Sequence, residues 1–569
     1  MTKQKKHKIQ ANNCLQWCQR WAGLTVVLFL ATWLRMWRLT ELPMGLNRDE
    51  AAIAYNAWLL AETGKDEWQR SWPVFLESFG DYKLPGYPYL LTMVFHWLEA
   101  TDWLVRLPSA LAGVYLVWLT WLLVKKLTGD RQWALVGAAL IACNPIFIWY
   151  SRGAWEANLA LALLVSCAYL VVSQPKKMWS VWRLLLILVL LLASFLTYNS
   201  PLLIMTVGVL VLPYLLWDRG WKFWLPLCWI CLVAVVGSYA LLLPVVGQKG
   251  GITIFDDPTV HFHYLEYRQK LPSWLVPIIG SEKVYQGWLL LQATAESFNP
   301  YFWWHGGSHP WHQLPDGSHL TLVTMALVIM ALGLLCIKCV ISVSKHKCRW
   351  WRDDCWQWWL LLAMSLIPSV ITTDSPHATR SLLFFYLLML LVAISGWQVQ
   401  KLMTQAIVSK KSNVLKGKKQ LLTLIKCNKK MPLFAEMQQM SGWRVVCMVL
   451  VAILMIEAGF YMWAYIHTLE RENIYHQGWA DVVDELEDEQ LVIIESDEQP
   501  YEYIKIAWTA KIPPEIFWST LMRQGVDPAG IKGVTDVAGY HFVLPGSEEA
   551  GSANWWYYDK QKQRWERKK

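Results

Sequence analysis

The chain has no small-residue cleavage site after its first apolar run, no second cysteine pair to match either C-x-x-C, and no obvious internal repeat. Each absence excludes something. The run Trp21 to Leu39 follows a basic leader, MTKQKKHK, and carries Arg35 and Arg38 near its end, so it reads as a retained signal anchor. The pairs Cys228/Cys231 and Cys336/Cys339 stand in apolar stretches without a nearby His, which assigns them to helix packing rather than metal or redox chemistry. None of the 12 cysteines falls in a segment placed outside the membrane, so no structural disulfide is expected. The missing repeat counts against the inverted-repeat design of many transporters.

What the chain does have is apolar length. Of its 569 residues 55% are hydrophobic, and repeated runs reach the roughly 20 residues that cross a hydrocarbon core of about 30 Å. The predicted architecture is an all-α, multi-pass protein of the cell membrane, with spans at 21–39, 104–126, 131–149, 156–173, 180–197, 201–217, 222–245, 318–342, 355–372, 379–398 and 443–466. Gly86 to Trp97 is too short to cross and contains Pro88, so it is predicted as an interfacial or re-entrant helix. The formal charge of +9 sits in short tracts between spans, as the positive-inside effect requires, which excludes nucleic acid as the expected partner. With Lys125/Lys126, Lys176/Lys177, Arg219/Lys222, Lys345 to Arg352 and Lys410 to Lys430 on the cytoplasmic face, the first loop, the 246–317 loop and the 373–378 turn lie outside. The Lys-rich stretch 400–442 reads either as a solvated linker or as a surface for anionic membrane lipid.

The expected division is a transmembrane domain over 1–466 and a small extracytoplasmic α/β domain over 467–569. In the latter, LVIIES and YHFVLP read as strands, and WADVVDELED and PPEIFWSTLMRQG as helices.

Acid gathers at one lip of the membrane. In LNRDEAAIAYNAWLL, Asp49 and Glu50 open a helix directly after the first span, where the helix dipole favours an ionised carboxylate and hence a usable base. The competing reading makes Asp49 only the helix cap. Tyr82 and Lys83 precede a Pro-bounded turn in the same loop, while Arg152, Glu156, His377 and Arg380 reach that face from other spans. Cations beside carboxylates at a lipid boundary suit an anionic head group such as a polyprenyl phosphate. A phosphate leaves without a general acid, so cations to stabilise it and one base for the acceptor hydroxyl suffice. Glycoside hydrolysis differs, because its alkoxide leaving group usually demands a second carboxyl.

At these residues the chain resembles the GT-C fold membrane glycosyltransferases, specifically the bacterial relatives of dolichyl-phosphate-mannose protein mannosyltransferases and of lipid A aminoarabinose transferase. The resemblance rests on the Asp49-Glu50 opening, GKDEWQRSWP, FGDYKLPGYPYL, RLPSALAG, NPIFIWYSRGAWEAN and SPHATRSLLF, and covers most of the length. It implies Asp49 as catalytic base, Glu50 as its neighbour in the motif, Lys83 as a ligand of the lipid phosphate, Glu156 as a second acid near the sugar and Arg380 as a phosphate-facing arginine. Two positions depart from the family: Lys83-Leu84-Pro85 replaces Lys-Pro-Pro, and Arg48 stands where a His is common. Both bear on the donor head group more than on the reaction.

His261, His263, His305, His309, His312 and His319 lie in or just after the 246–317 loop in no compact zinc spacing, so no cofactor is firmly expected and a divalent metal is left open by the aminoarabinose branch. The expected reaction is sugar transfer from a polyprenyl-phosphate donor to a hydroxyl of a protein, lipid or glycan acceptor on the extracytoplasmic face. The alternatives are a transporter or flippase for a lipid-linked sugar, which predicts charge at the bilayer midplane, and a membrane anchor for the C-terminal domain, which needs far fewer spans.

Overall fold

The computed structural model describes residues 21–175, 179–246, 253–306, 312–313, 317–345, 353–419, 431–470, 479, 483, 492–496, 499–526, 532–544, 555–559, 562 and 564–568. The tracts 1–20, 176–177 and 347–352, the stretch 420–430, His309 and most of WADVVDELED lie outside them.

Helix α1 (Trp21–Met36) leads through a turn into α2 (Arg48–Thr63), the hairpin β1 (Leu76–Ser78) and β2 (Asp81–Lys83), and α3 (Gly86–Phe95). Then come α4 (Asp102–Thr128), α5 (Arg131–Cys143), α6 (Pro145–Arg152), α7 (Glu156–Ser173), α8 (Val181–Thr197), α9 (Asn199–Leu215) and α10 (Trp221–Val246). The long loop holds α11 (Pro258–Lys270), α12 (Val276–Ile279), α13 (Glu282–Ser297) and α14 (Pro300–His305), and the bundle closes with α15 (Leu322–Lys345), α16 (Asp354–Val370), α17 (Leu382–Lys419) and α18 (Met431–Leu469).

Every expected span coincides with helix, but by length and apolarity six helices qualify as membrane-crossing among the described residues, or seven with one bent pair. Trp21–Met36, Val181–Thr197 and Asn199–Leu215 are shorter apolar helices. The bent pair corrects the expected unbroken span 131–149: α5 and α6 meet at 55°. Pro145 has no N–H to continue the ladder there, and the Asn144 side chain instead donates to Leu140 O at 2.6 Å. The short segment before α4 is the ten-residue helix α3, about half the length a crossing needs.

Local chemistry explains the boundaries. Asn47 caps α2, Thr101 caps α4 and Asp130 caps α5 through side-chain acceptors, while Gly64 ends α2 in the left-handed region at φ 72°. Helix α5 buries Ala134, Gly137, Ala138, Ala139 and Ala142, small residues that let neighbouring helices approach closely where lipid supplies no hydrophobic drive. One apolar core joins α1, α4 to α7 and α15 to α18, and another joins α7 to α10. Arg219 donates to Gln174 O at 2.8 Å, so the α7–α8 and α9–α10 turns, both expected on one face, meet.

The tail forms a six-stranded sheet in the order β4-β5-β6-β3-β7-β8, with β3 (Val492–Glu495), β4 (Met522–Val526), β5 (Lys532–Val537), β6 (Tyr540–Val543), β7 (Trp555–Asp559) and β8 (Arg564–Lys568). Strand β3 runs parallel to β6 and β7, and the other pairings are antiparallel. Helices span Gln499–Thr509 and Pro514–Thr520. PPEIFWSTLMRQG is therefore not one helix: Leu521 turns to extended backbone, and Met522 and Arg523 pair with Asp536 and Val534 of β5. Nor does the tail stand apart from the bundle. Its core is continuous with α2 and α3, where Phe517 packs 4.9 Å from Tyr55 and Trp508 stacks 6.0 Å from Phe95. A fully buried Phe contributes roughly 1.5–3 kcal/mol.

Candidate active site

The start of α2 sets the site. Asn47 Oδ1 accepts from the backbone N–H groups of Asp49 and Glu50, both at 2.9 Å, and Glu50 Oε2 accepts from Asn47 N at 3.0 Å, completing a capping box. The cap is thus Asn47. Asp49 stays in the first turn, where the dipole acts on it, with its carboxylate directed to another partner.

That partner comes from the hairpin. The Phe79-Gly80 turn folds β2 back on β1, and the period of two along β2 puts Asp81 and Lys83 on one face. Lys83 Nζ lies 2.7 Å from Asp49 Oδ1 and 2.8 Å from Asp81 Oδ2, with its side chain only 13% exposed. Burial pushes the Asp49 carboxyl up, but Lys83 and then Arg48 outweigh it, and the net pKa lies below the ordinary value. Burial pulls Lys83 down, and the surrounding carboxylates of Asp49, Asp81 and Glu156 reverse this and hold it well above its ordinary value.

The triad opens on a cavity of about 470 Å³ that Tyr82, Glu156, His377 and Arg380 also line. Glu156 stands in the first turn of α7. A short 3-10 turn, Thr379–Ser381, starts the α17 segment and presents Arg380, which donates to Thr372 Oγ1 at 2.8 Å and pairs with Asp374. His377 Nε2 lies 3.5 Å from Asp374 Oδ2, and its ring is 4.5 Å from that of His312. Leu84, Leu202, Leu203 and Leu242 add apolar surface to the same lining. A lining that combines charged and apolar side chains suits an amphipathic lipid phosphate.

Two predicted residues stand behind the wall instead. Glu50, 2% exposed, accepts from Arg106 Nε at 3.1 Å, Arg106 Nη2 at 3.2 Å and Ala154 N at 2.7 Å, besides Asn47 N. Arg106 also donates to Leu39 O and Pro43 O, both at 2.9 Å, and to Gly45 O. Glu50 thereby locks α2 to α4, to the α6–α7 turn and to the end of the first span, with both oxygens engaged. Arg152 is likewise buried and donates to Leu34 O, Arg38 O and Leu42 O at 3.0, 3.3 and 3.1 Å. Neither side chain lines the cavity.

Asp81, Trp155, Asp374 and Thr379 carry no site role in the sequence-based expectations, and His312 stands there only among the candidate metal ligands. The i, i+2 spacing of Asp81 and Lys83 in a strand would have found the first. His312 has no local signal: its ring meets Trp155 at 5.4 Å, and its Nδ1 lies 3.3 Å from Thr379 Oγ1, across more than sixty residues of chain. Among the described residues no group of three or more His, Cys, Asp or Glu is placed to hold a metal ion.

Residues 83–247 match the family model described as dolichyl-phosphate-mannose-protein mannosyltransferase. No curated protein sequence matches the chain. Among solved structures, the apo form of ArnT from Cupriavidus metallidurans aligns at 13% identity and a TM-score of 0.43 over 88% of this chain and 85% of its own. The same protein bound to undecaprenyl phosphate aligns at 12% and 0.43 over 86% and 84%. The apo oligosaccharyltransferase of Archaeoglobus fulgidus aligns at 14% and 0.45 over 87% of this chain and 64% of its own. Lys83 and Glu156 therefore sit within a segment related to the dolichyl-phosphate-mannose-protein mannosyltransferases, the membrane glycosyltransferases that the motifs resemble.

Proposed function

We propose that the chain transfers a sugar from a polyprenyl-phosphate-linked donor to a hydroxyl of a protein, lipid or glycan acceptor at the extracytoplasmic membrane face. The observation that carries this reading is the Asp49–Lys83–Asp81 ion cluster, set in a cavity that Arg380 and several leucines also line. Lys83 and Arg380 supply the positive charge that a departing phosphate needs. Asp49 takes the acceptor proton as the acceptor oxygen bonds to the anomeric carbon. The bond from that carbon to the phosphate oxygen breaks, and its electron pair leaves with the polyprenyl phosphate.

The ion pair also explains timing. With Lys83 on Asp49, the carboxylate is a weak base. A donor phosphate competes for the same ammonium, and each step of Lys83 toward it removes the interaction that depresses the Asp49 pKa. The base strengthens when the leaving group is in place. Glu156, Tyr82 and His377 line the space for the sugar.

The test is incubation of the purified protein with a panel of polyprenyl-phosphate sugars and an acceptor mixture, scoring polyprenyl phosphate release. Release from at least one donor, lowered about 10²–10⁴-fold by Asp49→Asn, is expected. Donor binding with no release from any member, and movement of the intact donor across vesicles, would establish the flippase reading instead.

A further inference from the structure

A second cavity, of about 330 Å³, lies between α15, α16 and α17. Gln398 in its wall follows Arg380 by eighteen residues along the α17 segment, roughly 27 Å at 1.5 Å per residue, so this cavity is at the opposite end of a bilayer-length helix from Asp49. Its polar wall is Lys338 and Ser342 from α15, Asp353 and Asp354 at the start of α16, and Ser395 and Gln398 from α17. Catalysis as proposed above uses none of them.

Lys338 is the unusual member. It stands seven residues before the end of α15, inside a stretch apolar enough to cross a membrane. An ammonium there is costly and calls for a counter-charge. Among the described residues no acceptor lies within hydrogen-bond reach of it; Asp354 attracts it from farther away. Asp353 is partly engaged, accepting from Ser342 Oγ. A lysine near a helix end can extend its stem toward the interface. That habit does not gather two carboxylates, two serines and an amide from three helices around one space.

The charge balance selects the ligand. One ammonium and two carboxylates repel a purely anionic head group, yet among the described residues the Lys338 ammonium has no hydrogen-bond acceptor. A zwitterion satisfies both, with its phosphate on Lys338 and a primary ammonium, rich in N–H donors, on Asp354. The volume is at the low end for a small-molecule site, enough for a head group. Acyl chains would run along Ile337 and Val340, which are 56% and 70% exposed on the outer side of α15. We propose that this cavity binds the phosphoethanolamine head group of a lipid in the leaflet opposite the catalytic cavity.

The experiment measures the melting temperature of the purified full-length protein in detergent with added phosphatidylethanolamine, phosphatidylcholine, phosphatidylglycerol or soluble glycerophosphoethanolamine. Phosphatidylethanolamine should stabilise the wild type most, phosphatidylcholine less because its quaternary ammonium donates no hydrogen bond, and phosphatidylglycerol least. Lys338→Met should lose the response, and Asp354→Asn, at an exposed position, should fold normally and lose the preference for phosphatidylethanolamine over phosphatidylcholine. Both should keep sugar-transfer turnover. Equal stabilisation by the three lipids, or an undiminished preference in Asp354→Asn, overturns the proposal whether or not the Lys338 variant folds. Equal stabilisation by the soluble compound overturns the assignment to a lipid.

Discussion

The first outer loop holds two carboxylates, a partly exposed Asp49 and a buried Glu67, whose surroundings treat them in opposite ways. Asp49 meets an ammonium at 2.7 Å and stays ionised below the usual carboxylate range. Glu67 is surrounded by neutral donors: Ser78 Oγ at 2.6 Å, Tyr503 OH at 2.9 Å and Asn56 Nδ2 at 3.2 Å. Its nearest cation, Arg523, is 3.8 Å away, and burial pushes its pKa up to about 7. Hydroxyls and amides stabilise a buried carboxylate less than a full charge does, so they offset less of the desolvation cost. The contrast separates a carboxylate equipped to exchange partners with a ligand from one equipped to hold two parts of the fold together.

The largest test of that contrast is Asp49→Asn. It removes proton acceptance while leaving the Asn47 cap intact, so turnover should fall by about 10²–10⁴-fold with little change in melting temperature. Near-normal turnover per folded molecule would return Asp49 to a purely structural role. Next comes Lys83→Ala, which should raise donor KM and lower kcat together, by about 10²-fold in kcat/KM, because the ammonium serves both bound donor and leaving group. The pH profile sharpens this. The acid limb of kcat/KM in the wild type should lie below the ordinary carboxylate range, and that of kcat, which reports the donor complex, should lie higher. Coincident limbs would show that donor binding leaves the Lys83–Asp49 pair intact.

At Glu67, Tyr503→Phe removes one bond to the carboxylate and the acceptor for Phe79 N, and should cost about 1–3 kcal/mol of stability by denaturant unfolding. The smallest effect is the pH dependence of that joint. Glu67 has a native pKa near 7 and an unfolded one of about 4.3, so the folded state holds the proton more tightly. Its contribution is fully present below the unfolded value and is lost as pH rises through 7. Melting temperature should therefore fall from pH 5 to pH 8, and Glu67→Gln should flatten the slope; an unchanged slope would assign it to other groups.

Much of the fold was legible because membrane helices announce themselves locally. Apolar run length located α4, α7, α10 and α15 within a few residues, together with the start of α17, and the motifs around Asp49, Lys83, Glu156, His377 and Arg380 named residues that now line one cavity. What stayed hidden depends on distant partners. Glu50 and Arg152 carry the same charges as their cavity-lining neighbours, and only Arg106, 56 positions from Glu50, and the carbonyls of the 34–42 turn reveal that they are structural. Strand β4 was hidden within a helical pattern because its pairing with β5 is set by residues downstream.

The shared core of α2 and the tail bears on how the protein can be taken apart. A chain cut after residue 470 would strand Tyr55 and Phe95 without Phe517 and Trp508, and would leave the hairpin of Lys83 without Lys532, whose backbone N–H bonds Phe79 O at 3.2 Å and whose ammonium reaches Glu77 at 2.5 Å. An exchange of tails between relatives would succeed only with the matching first loop carried along. The transplantable module is that loop plus the tail, two pieces separated by roughly 370 residues of sequence and contiguous in space.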